Sequence, residues 1–318
     1  MEASSAAAAS RGAVSSPKLT RARTRRSTGE QVIKGLLALA ALLSVLTTTG
    51  IVFVLAREMV SFFKDVPFAD FYFGTKWSPL AGGQSQSFGV VPLIFSTLYL
   101  TAVGLLVAIP VGLGVGIYLA EYASPPVRRV FKPVVELLAG IPTIVFGFFA
   151  LTFFTPLLGD LGIEVQIFNG LSAAIILGIL VVPTIASVSE DALSSVPQAL
   201  REGAFGLGAA KWQVVVRVVF PAALSGVVAG LVLGASRAIG ETVLILVAAG
   251  NNPNLNLDLG IAHQNMAAFI ANTARADVSA GSIAYETIFA VGGTLFIITF
   301  LLNMIAIRFV RKYRQIYE

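Results

Sequence analysis

The sequence contains no cysteine and a single histidine, His263, among its 318 residues. The absence of cysteine excludes a disulfide framework, a zinc–thiolate site and a cysteine-ligated iron–sulfur cluster. One histidine cannot form a polyhistidine metal site. We predict no metal, no cofactor and no catalytic residue in this chain. His263 falls in a polar stretch between two apolar runs, which predicts a surface histidine.

Charge is also scarce, because only 12% of the residues are charged and 56% are hydrophobic. A typical soluble domain carries about 25% charged residues. A bilayer crossing needs about 20 apolar residues, and six charge-poor runs meet that length. We therefore predict an all-α polytopic membrane protein with six transmembrane helices, at about Gly35–Ala56, Val90–Ala120, Leu137–Gly159, Val165–Ser189, Pro221–Ala249 and Thr287–Ile307.

The basic residues are unevenly divided between the two sides of these six helices. Of the 22 basic residues, 17 fall in the N-terminal arm, the 2–3 loop, the 4–5 loop and the C-terminal tail. The opposite side receives Arg57, Lys64, Lys76 and Arg275. Because basic loops stay in the cytoplasm, we predict a multi-pass protein of the inner or plasma membrane with both termini cytoplasmic.

Residues 1–29 differ in composition from the rest of the chain, since they are basic and rich in alanine and serine. Such a composition predicts a disordered cytoplasmic arm, and residues 30–318 then form the transmembrane domain. The arm either contacts anionic lipid headgroups or serves only as a topology signal. It has no aromatic residue on which bases could stack, so we predict no nucleic-acid partner.

The cytoplasmic loop at about residues 190–221 has its own pattern. Pro197 suits the first turn of a short helix, and Gly208 permits a sharp turn because glycine tolerates positive φ. An amphipathic stretch follows from Lys211 to Val219, and Pro221 begins the next membrane helix. Two short helices with apolar residues on a cytoplasmic surface indicate a docking element, or alternatively two interfacial helices lying on the lipid.

This loop resembles the EAA loop of ABC-importer permeases. The resemblance is carried by Glu202-Gly203-Ala204, by Gly208 six residues after the glutamate, and by Val218-Val219-Phe220-Pro221. Gly203, Val218 and Phe220 depart from the family residues, but the spacing agrees. The resemblance implies that an ATPase subunit couples to this loop through Arg201, Glu202, Gly203, Ala204, Gly208 and Pro221. No phosphate-binding G-x-x-x-x-G-K-[ST] motif occurs in the chain.

Three further stretches, "ELLAGIPTIVFGFFAL", "SRAIGETVLIL" and "GSIAYETIFAVGGTLFIITFLLN", resemble PstC-type permeases of phosphate-specific importers. That resemblance implies a type I ABC-importer core with an extra N-terminal helix, and translocation of inorganic phosphate. It also implies a PstA-like second permease, a PstB-like ATPase dimer and an external PstS-like phosphate-binding protein as partners, within membrane lipid. A permease for sulfate or molybdate, a PstA-type subunit and an ATP-independent channel remain alternatives.

Two charges lie inside the fifth apolar run, in "GASRAIGETVL". A charge at mid-bilayer costs about 2.5–3.5 kcal/mol on insertion scales, so such residues face the bundle interior or a water-filled cavity. Arg237 and Glu241 are four residues apart, on one face of a helix. They form either a mutual salt bridge or the lining of an anion path, where a guanidinium matches two oxygens of a tetrahedral oxyanion. Resemblance to the family favours the path.

Glu136 is a third candidate for the substrate path. It stands just before the third predicted helix. Its carboxylate lies either at the cytoplasmic interface or beside Arg237 and other residues of the path.

Overall fold

The computed structural model describes residues 26–81 and 83–313, and most of them are helical. Two two-residue strands, β1 (Trp77–Ser78) and β2 (Ser87–Phe88), form an antiparallel hairpin. Wide π-helical turns occur at Tyr118–Tyr122, Ala150–Phe154 and Val215–Val219. The helices are α1 (Arg26–Asp65), α2 (Phe68–Phe73), α3 (Val91–Ile117), α4 (Pro125–Ala139), α5 (Thr143–Phe149), α6 (Thr155–Asp160), α7 (Gly170–Ser194), α8 (Gln198–Gly206), α9 (Lys211–Val214), α10 (Phe220–Ile239), α11 (Val243–Ala248), α12 (Met266–Arg275) and α13 (Ile283–Tyr313).

Six helical segments are long and apolar enough to cross a membrane, as the sequence predicts. They comprise α1, α3 with its π turn, α5–α6, α7, α9–α10 and α13. Residues 1–25 of the predicted arm lie outside the described residues, and residues 26–29 form the first turn of α1. The chain divides into two units at Phe53. In the first unit, the side chains of α1 are almost all exposed, which suits an apolar helix surrounded by lipid.

The centre of the second unit is the contact between α3 and α7. Gly104 of α3 and Gly178 of α7 meet so closely that a Cβ on Gly178 would lie 2.5 Å from the Gly104 carbonyl oxygen. Small residues at such positions let two membrane helices approach backbone to backbone. Leu177, Leu180 and Ile185 of α7 are fully buried around this contact, in a cluster that α10 and α11 complete. The α7 helix is therefore the innermost element of the fold.

The third membrane segment begins at Thr143, later than the predicted Leu137. Gly140 ends the preceding helix, and Pro142 lacks the N–H that would continue it. The residues before this break form α4, a separate amphipathic helix with no buried residue. Its basic residues and Glu136 therefore lie outside the membrane-crossing segment.

The fifth membrane segment ends at Ile239, and its predicted continuation to Ala249 is wrong. Gly240 is a weak helix former, and the Thr242 hydroxyl donates to the Gly240 carbonyl at 3.1 Å. The Glu241 carboxylate accepts from the Leu244 N–H at 3.1 Å and so begins α11. Side chains that bond the local backbone in this way replace the helical hydrogen bonds, and the chain turns within an apolar run.

The same segment begins earlier than predicted. Lys211–Ile239 is one continuous helix, so Pro221 lies inside it and does not begin it. A proline ring clashes with the carbonyl four residues earlier, here that of Arg217. The π turn Val215–Val219 contains that carbonyl and widens the helix just before the proline. The predicted coupling loop, at about residues 190–221, is consequently joined to the membrane segment by one helix, which can bend at the π turn and at Pro221.

The prediction of a surface position for His263 is wrong, because its exposed fraction is 0%. Its Nε2 lies 2.9 Å from the Asp258 carbonyl oxygen and its Nδ1 lies 3.4 Å from the Ser96 hydroxyl. A neutral ring that carries its proton on Nε2 satisfies both contacts. The long loop after α11 is therefore folded against the beginning of α3.

Candidate functional site

Arg237 lies in the last turn of α10 and is half-buried. Its Nη1 donates a hydrogen bond of 2.8 Å to the hydroxyl of Thr184, which follows Pro183 in the middle of α7. Among the described residues, its guanidinium forms no salt bridge. A guanidinium has five N–H donors. Arg237, within a membrane segment, therefore retains donors that the described residues do not use.

Glu241 lies in the turn that separates α10 from α11, with an exposed fraction of 7%. Besides accepting from the Leu244 N–H, the residue is held through its backbone, because the Asn265 side chain donates to its carbonyl oxygen at 2.9 Å. Asn265 also accepts from the Ala268 N–H at 2.8 Å and so begins α12. Glu241 is thus held both at its carboxylate and at its backbone carbonyl.

Arg237 and Glu241 therefore do not share one face of a continuous helix. The helix that carries Arg237 ends at Ile239, and no ion pair joins the two side chains in the described part of the chain. Of the two sequence-based interpretations, the mutual salt bridge has no counterpart in the structure. Each charge has a separate neutral partner, Thr184 for the arginine and a backbone N–H for the glutamate.

Glu136 is exposed on α4, and its carboxylate forms no hydrogen bond within residues 26–81 and 83–313. It lines an open cavity of about 500 Å³ together with Arg128, Arg129 and Lys132. Of its two predicted locations, the structure places it on the amphipathic helix rather than in a hydrogen bond with Arg237.

The predicted coupling loop forms a helix, a turn and a second helix. Gly208 makes the turn with φ +81°, in the left-handed region that favours glycine. Glu202, Gly203 and Pro221 are exposed, whereas Ala204 packs with Leu200 against a buried apolar cluster. Large apolar side chains cover the tip of this loop and remain exposed: Phe205, Leu207 and Trp212. An exposed apolar tip around a fixed turn marks an interaction surface, either for another protein or for lipid.

Arg201 has a different environment from its neighbours on α8. Its side chain turns inward and forms a salt bridge of 2.7 Å with Glu121, in the π turn that ends α3. The guanidinium also donates to the carbonyl oxygens of Leu193 and Val196, at the end of α7. The structure therefore places this residue within the chain, between the coupling loop and two membrane helices.

A second charge cluster, which sequence reasoning missed, joins α4 to α7. Glu190 has an exposed fraction of 1% and pairs with Arg128 and with Lys132, the latter at 2.5 Å. Lys132 also bonds Asp191 at 2.7 Å. The hydrogen bonds to Asp191 and then to Glu190 raise the pKa of Lys132 above its ordinary value. The i, i+4 spacing of Arg128 and Lys132 was the available signal, since it places both cations on one helix face.

Comparison with known proteins identifies the family. Residues 112–315 match the model of the binding-protein-dependent transport system inner membrane component. The chain is 33% identical over 249 residues to the phosphate transport system permease protein PstC of Mesorhizobium japonicum, covering 72% of this chain and 74% of the relative. It is 29% identical over 306 residues to the probable ABC transporter permease protein YqgH of Bacillus subtilis, covering 95% and 97%.

A solved structure agrees with the fold. The bacterial alginate ABC transporter, crystallised with an alginate-bound periplasmic protein, includes a chain with a TM-score of 0.62. That likeness covers 90% of this chain and 98% of the other at 18% identity, so it bears on the fold alone. The predicted type I ABC-importer fold with an extra N-terminal helix is confirmed. The chain belongs to the binding-protein-dependent transport permeases and, within them, to the PstC-type permeases.

Proposed function

We propose that this chain is the permease subunit of an ATP-driven importer and lines part of the path of inorganic phosphate into the cytoplasm. The observation that carries the proposal is Arg237, a half-buried cation inside a membrane segment whose partner is the neutral Thr184 hydroxyl. Such a charge is costly in the membrane and marks an ion pathway. The similarity to a phosphate transport permease supplies the substrate.

The chemistry of phosphate suits the two fixed charges. The planar guanidinium of Arg237 presents parallel N–H donors that match two oxygens of a tetrahedral oxyanion. The Glu241 carboxylate repels a bare anion but accepts a hydrogen bond from a protonated phosphate oxygen. Sulfate has no such proton at neutral pH. This pair of groups therefore favours hydrogen phosphate over sulfate.

We further propose that Glu136 marks the cytoplasmic end of the path. Its carboxylate faces the cavity that it shares with Arg128, Arg129 and Lys132. These cations attract an anion that leaves the membrane segments, and the carboxylate limits how long the anion remains there.

Four kinds of partner complete the proposed importer. An ATPase dimer of the PstB kind docks on the exposed tip of the coupling loop and on Glu202. A PstA-like permease supplies the other half of the path, and an external PstS-like protein delivers phosphate. Membrane lipid covers the apolar surface of α1, which has no buried position in residues 29–53.

Uptake of labelled phosphate by cells that lack their own phosphate importers tests the substrate. We expect uptake to require this chain, its partner permease and the ATPase, and excess unlabelled phosphate to compete. Sulfate and molybdate in the same excess are expected to compete weakly. Strong competition by either anion would assign the path to that oxyanion. Uptake that persists when the ATPase is deleted would instead indicate a channel.

The proposed orientation has its own test, which the absence of native cysteine simplifies. A cysteine introduced at Ser85, which is exposed in the loop between β1 and β2, is expected to react with a membrane-impermeant reagent in spheroplasts. A cysteine at Ser16 is expected to react only after permeabilisation, because the basic residues keep the N-terminus in the cytoplasm. The reverse pattern would invert the sidedness of every loop.

A further inference from the structure

Arg201 precedes Glu202 in the coupling loop, but the two side chains differ in accessibility. Glu202 is exposed, whereas the Arg201 side chain retains 12% of its exposure and that of its partner Glu121 retains 8%. A side chain in this position presents little surface to a docked subunit. Its function therefore lies in what it contacts inside the chain.

The contacts of this guanidinium reach two different membrane helices. Its Nε and Nη2 donate to one Glu121 carboxylate oxygen, at 3.2 and 2.7 Å, and so hold the end of α3. Its Nη2 also donates to the Leu193 carbonyl at 2.8 Å, and its Nη1 donates to the Val196 carbonyl, which together hold the end of α7. Because the guanidinium is planar and its donors have fixed directions, α8 cannot shift without disturbing these bonds.

The remaining contacts of α8 with the membrane domain are apolar and not directional. Leu200 and Ala204 pack against an apolar cluster that includes Leu193 and Val219. Apolar packing is non-directional, so these contacts allow sliding. The Arg201 bonds are the directional contacts of α8 with the membrane helices in the described part of the chain.

The α7 helix extends from this contact to the proposed path. Thr184 lies on the same helix and accepts the hydrogen bond from Arg237. A displacement of the end of α7 is therefore carried by a buried, closely packed helix to the group that positions the guanidinium. Coupling between distant sites needs such a chain of physical contacts.

We infer that Arg201, paired with Glu121, is the positioning residue that transmits movement of the coupling loop to α3 and α7. The inference rests on the proposed function, since it requires an ATPase that moves the loop. It gives Arg201 a role inside the permease, and leaves contact with the ATPase to Glu202 and the apolar tip.

The test is the amount of phosphate transported per ATP hydrolysed, measured with the whole complex in lipid vesicles. The variants are Arg201→Gln, Glu121→Gln and the double variant, with Arg275→Gln as a control that removes an exposed cation from the last turn of α12. We expect the ATPase to copurify and to hydrolyse ATP in all of them. The transported amount per ATP is expected to fall about fivefold or more in both single variants, the low end of ordinary coupling between sites.

The double variant is expected to be no worse than either single variant, because both residues act through one contact. It also leaves no unpaired buried charge. If a single variant does not assemble, the double variant is compared with the unaltered chain instead. An unchanged ratio with the ATPase bound would overturn the inference, as would proportional losses of hydrolysis and transport. Loss of the ATPase from Arg201→Gln but not from Glu121→Gln would assign Arg201 to the ATPase interface. Failure of the ATPase to copurify with the unaltered chain would instead overturn the proposed function.

Discussion

Replacing Arg237 with glutamine is expected to reduce phosphate uptake strongly while the complex still assembles. Glutamine removes the charge and the planar fork, but it introduces no unpaired charge into the membrane. We expect the uptake rate to fall by about 10- to 100-fold, which corresponds to the loss of about 1.5–3 kcal/mol from a charge-assisted contact. The measurement is phosphate uptake normalised to the amount of assembled complex. Arg237→Lys is also expected to impair uptake, since a point charge does not replace a bidentate contact.

Glu241→Gln offers a cleaner comparison than an alanine substitution. An amide oxygen can still accept from the Leu244 N–H, so the start of α11 is preserved while the negative charge is lost. Because Arg237 and Glu241 form no ion pair in the described residues, the double glutamine variant is expected to be as inactive as either single variant.

Two results would contradict this assignment. An active double glutamine variant would indicate that the two charges serve only each other. Full uptake by Arg237→Gln would remove the arginine from the path altogether. Arg275→Gln is the matched control, since it removes one arginine charge from an exposed position in the last turn of α12 and is expected to leave uptake unchanged.

The Gly208→Val variant is expected to uncouple transport from ATP hydrolysis, reducing uptake to near background. The backbone at this position has φ +81°. Left-handed backbone costs an ordinary L-residue about 1–2 kcal/mol, and more for a β-branched one. No atom lies within 4 Å of the added Cβ, so the defect arises from the backbone and displaces the apolar tip without a steric clash. Phosphate uptake measures the loss of transport, and copurification of the ATPase shows whether the ATPase still binds.

Two further substitutions, one at Gly208 and one at Gly206, distinguish the effect of the backbone conformation from the effect of an added side chain. Gly208→Asn is expected to retain most of the activity, because asparagine tolerates left-handed backbone. Gly206→Ala lies in helical backbone with open space around it and is expected to be neutral. Equal activity of the valine and asparagine variants would show that the conformation of Gly208 has no part in coupling.

The sequence predicted the number of membrane segments correctly but not the bounds of several of them. The fourth, for example, is Gly170–Ser194 rather than the predicted Val165–Ser189. Apolar runs identify crossings because lipid accepts no exposed charge. Hydropathy is insensitive to a short break in which side chains take over backbone hydrogen bonds. Gly240-Glu241-Thr242 is such a break. Gly140-Ile141-Pro142 is a second short break, at which the proline lacks the N–H that would continue the helix. Helical spacing alone therefore placed Arg237 and Glu241 on one face.

The candidate site was predicted in part. The types of residue in the motif identified Arg237, Glu241 and the coupling loop. Their partners could not be predicted, because Thr184 is 53 positions from Arg237 and Glu121 is 80 positions from Arg201. His263 shows the same limit, since its burial depends on Ser96, a residue distant in the sequence. Contacts between distant segments follow from packing, which one sequence does not specify locally.

The continuous helix Lys211–Ile239 has a geometric consequence for transport. Its first turn belongs to the coupling loop and its last turn carries Arg237, roughly 40 Å away at about 1.5 Å per residue. The helix is continuous apart from the π turn and Pro221 near its start, where it can bend. Torsion applied at the membrane surface therefore reaches the guanidinium as rotation about the helix axis. One residue more or less between the two ends would rotate Arg237 by about 100°. The length of this segment is therefore constrained as strictly as the identity of the residues at its two ends.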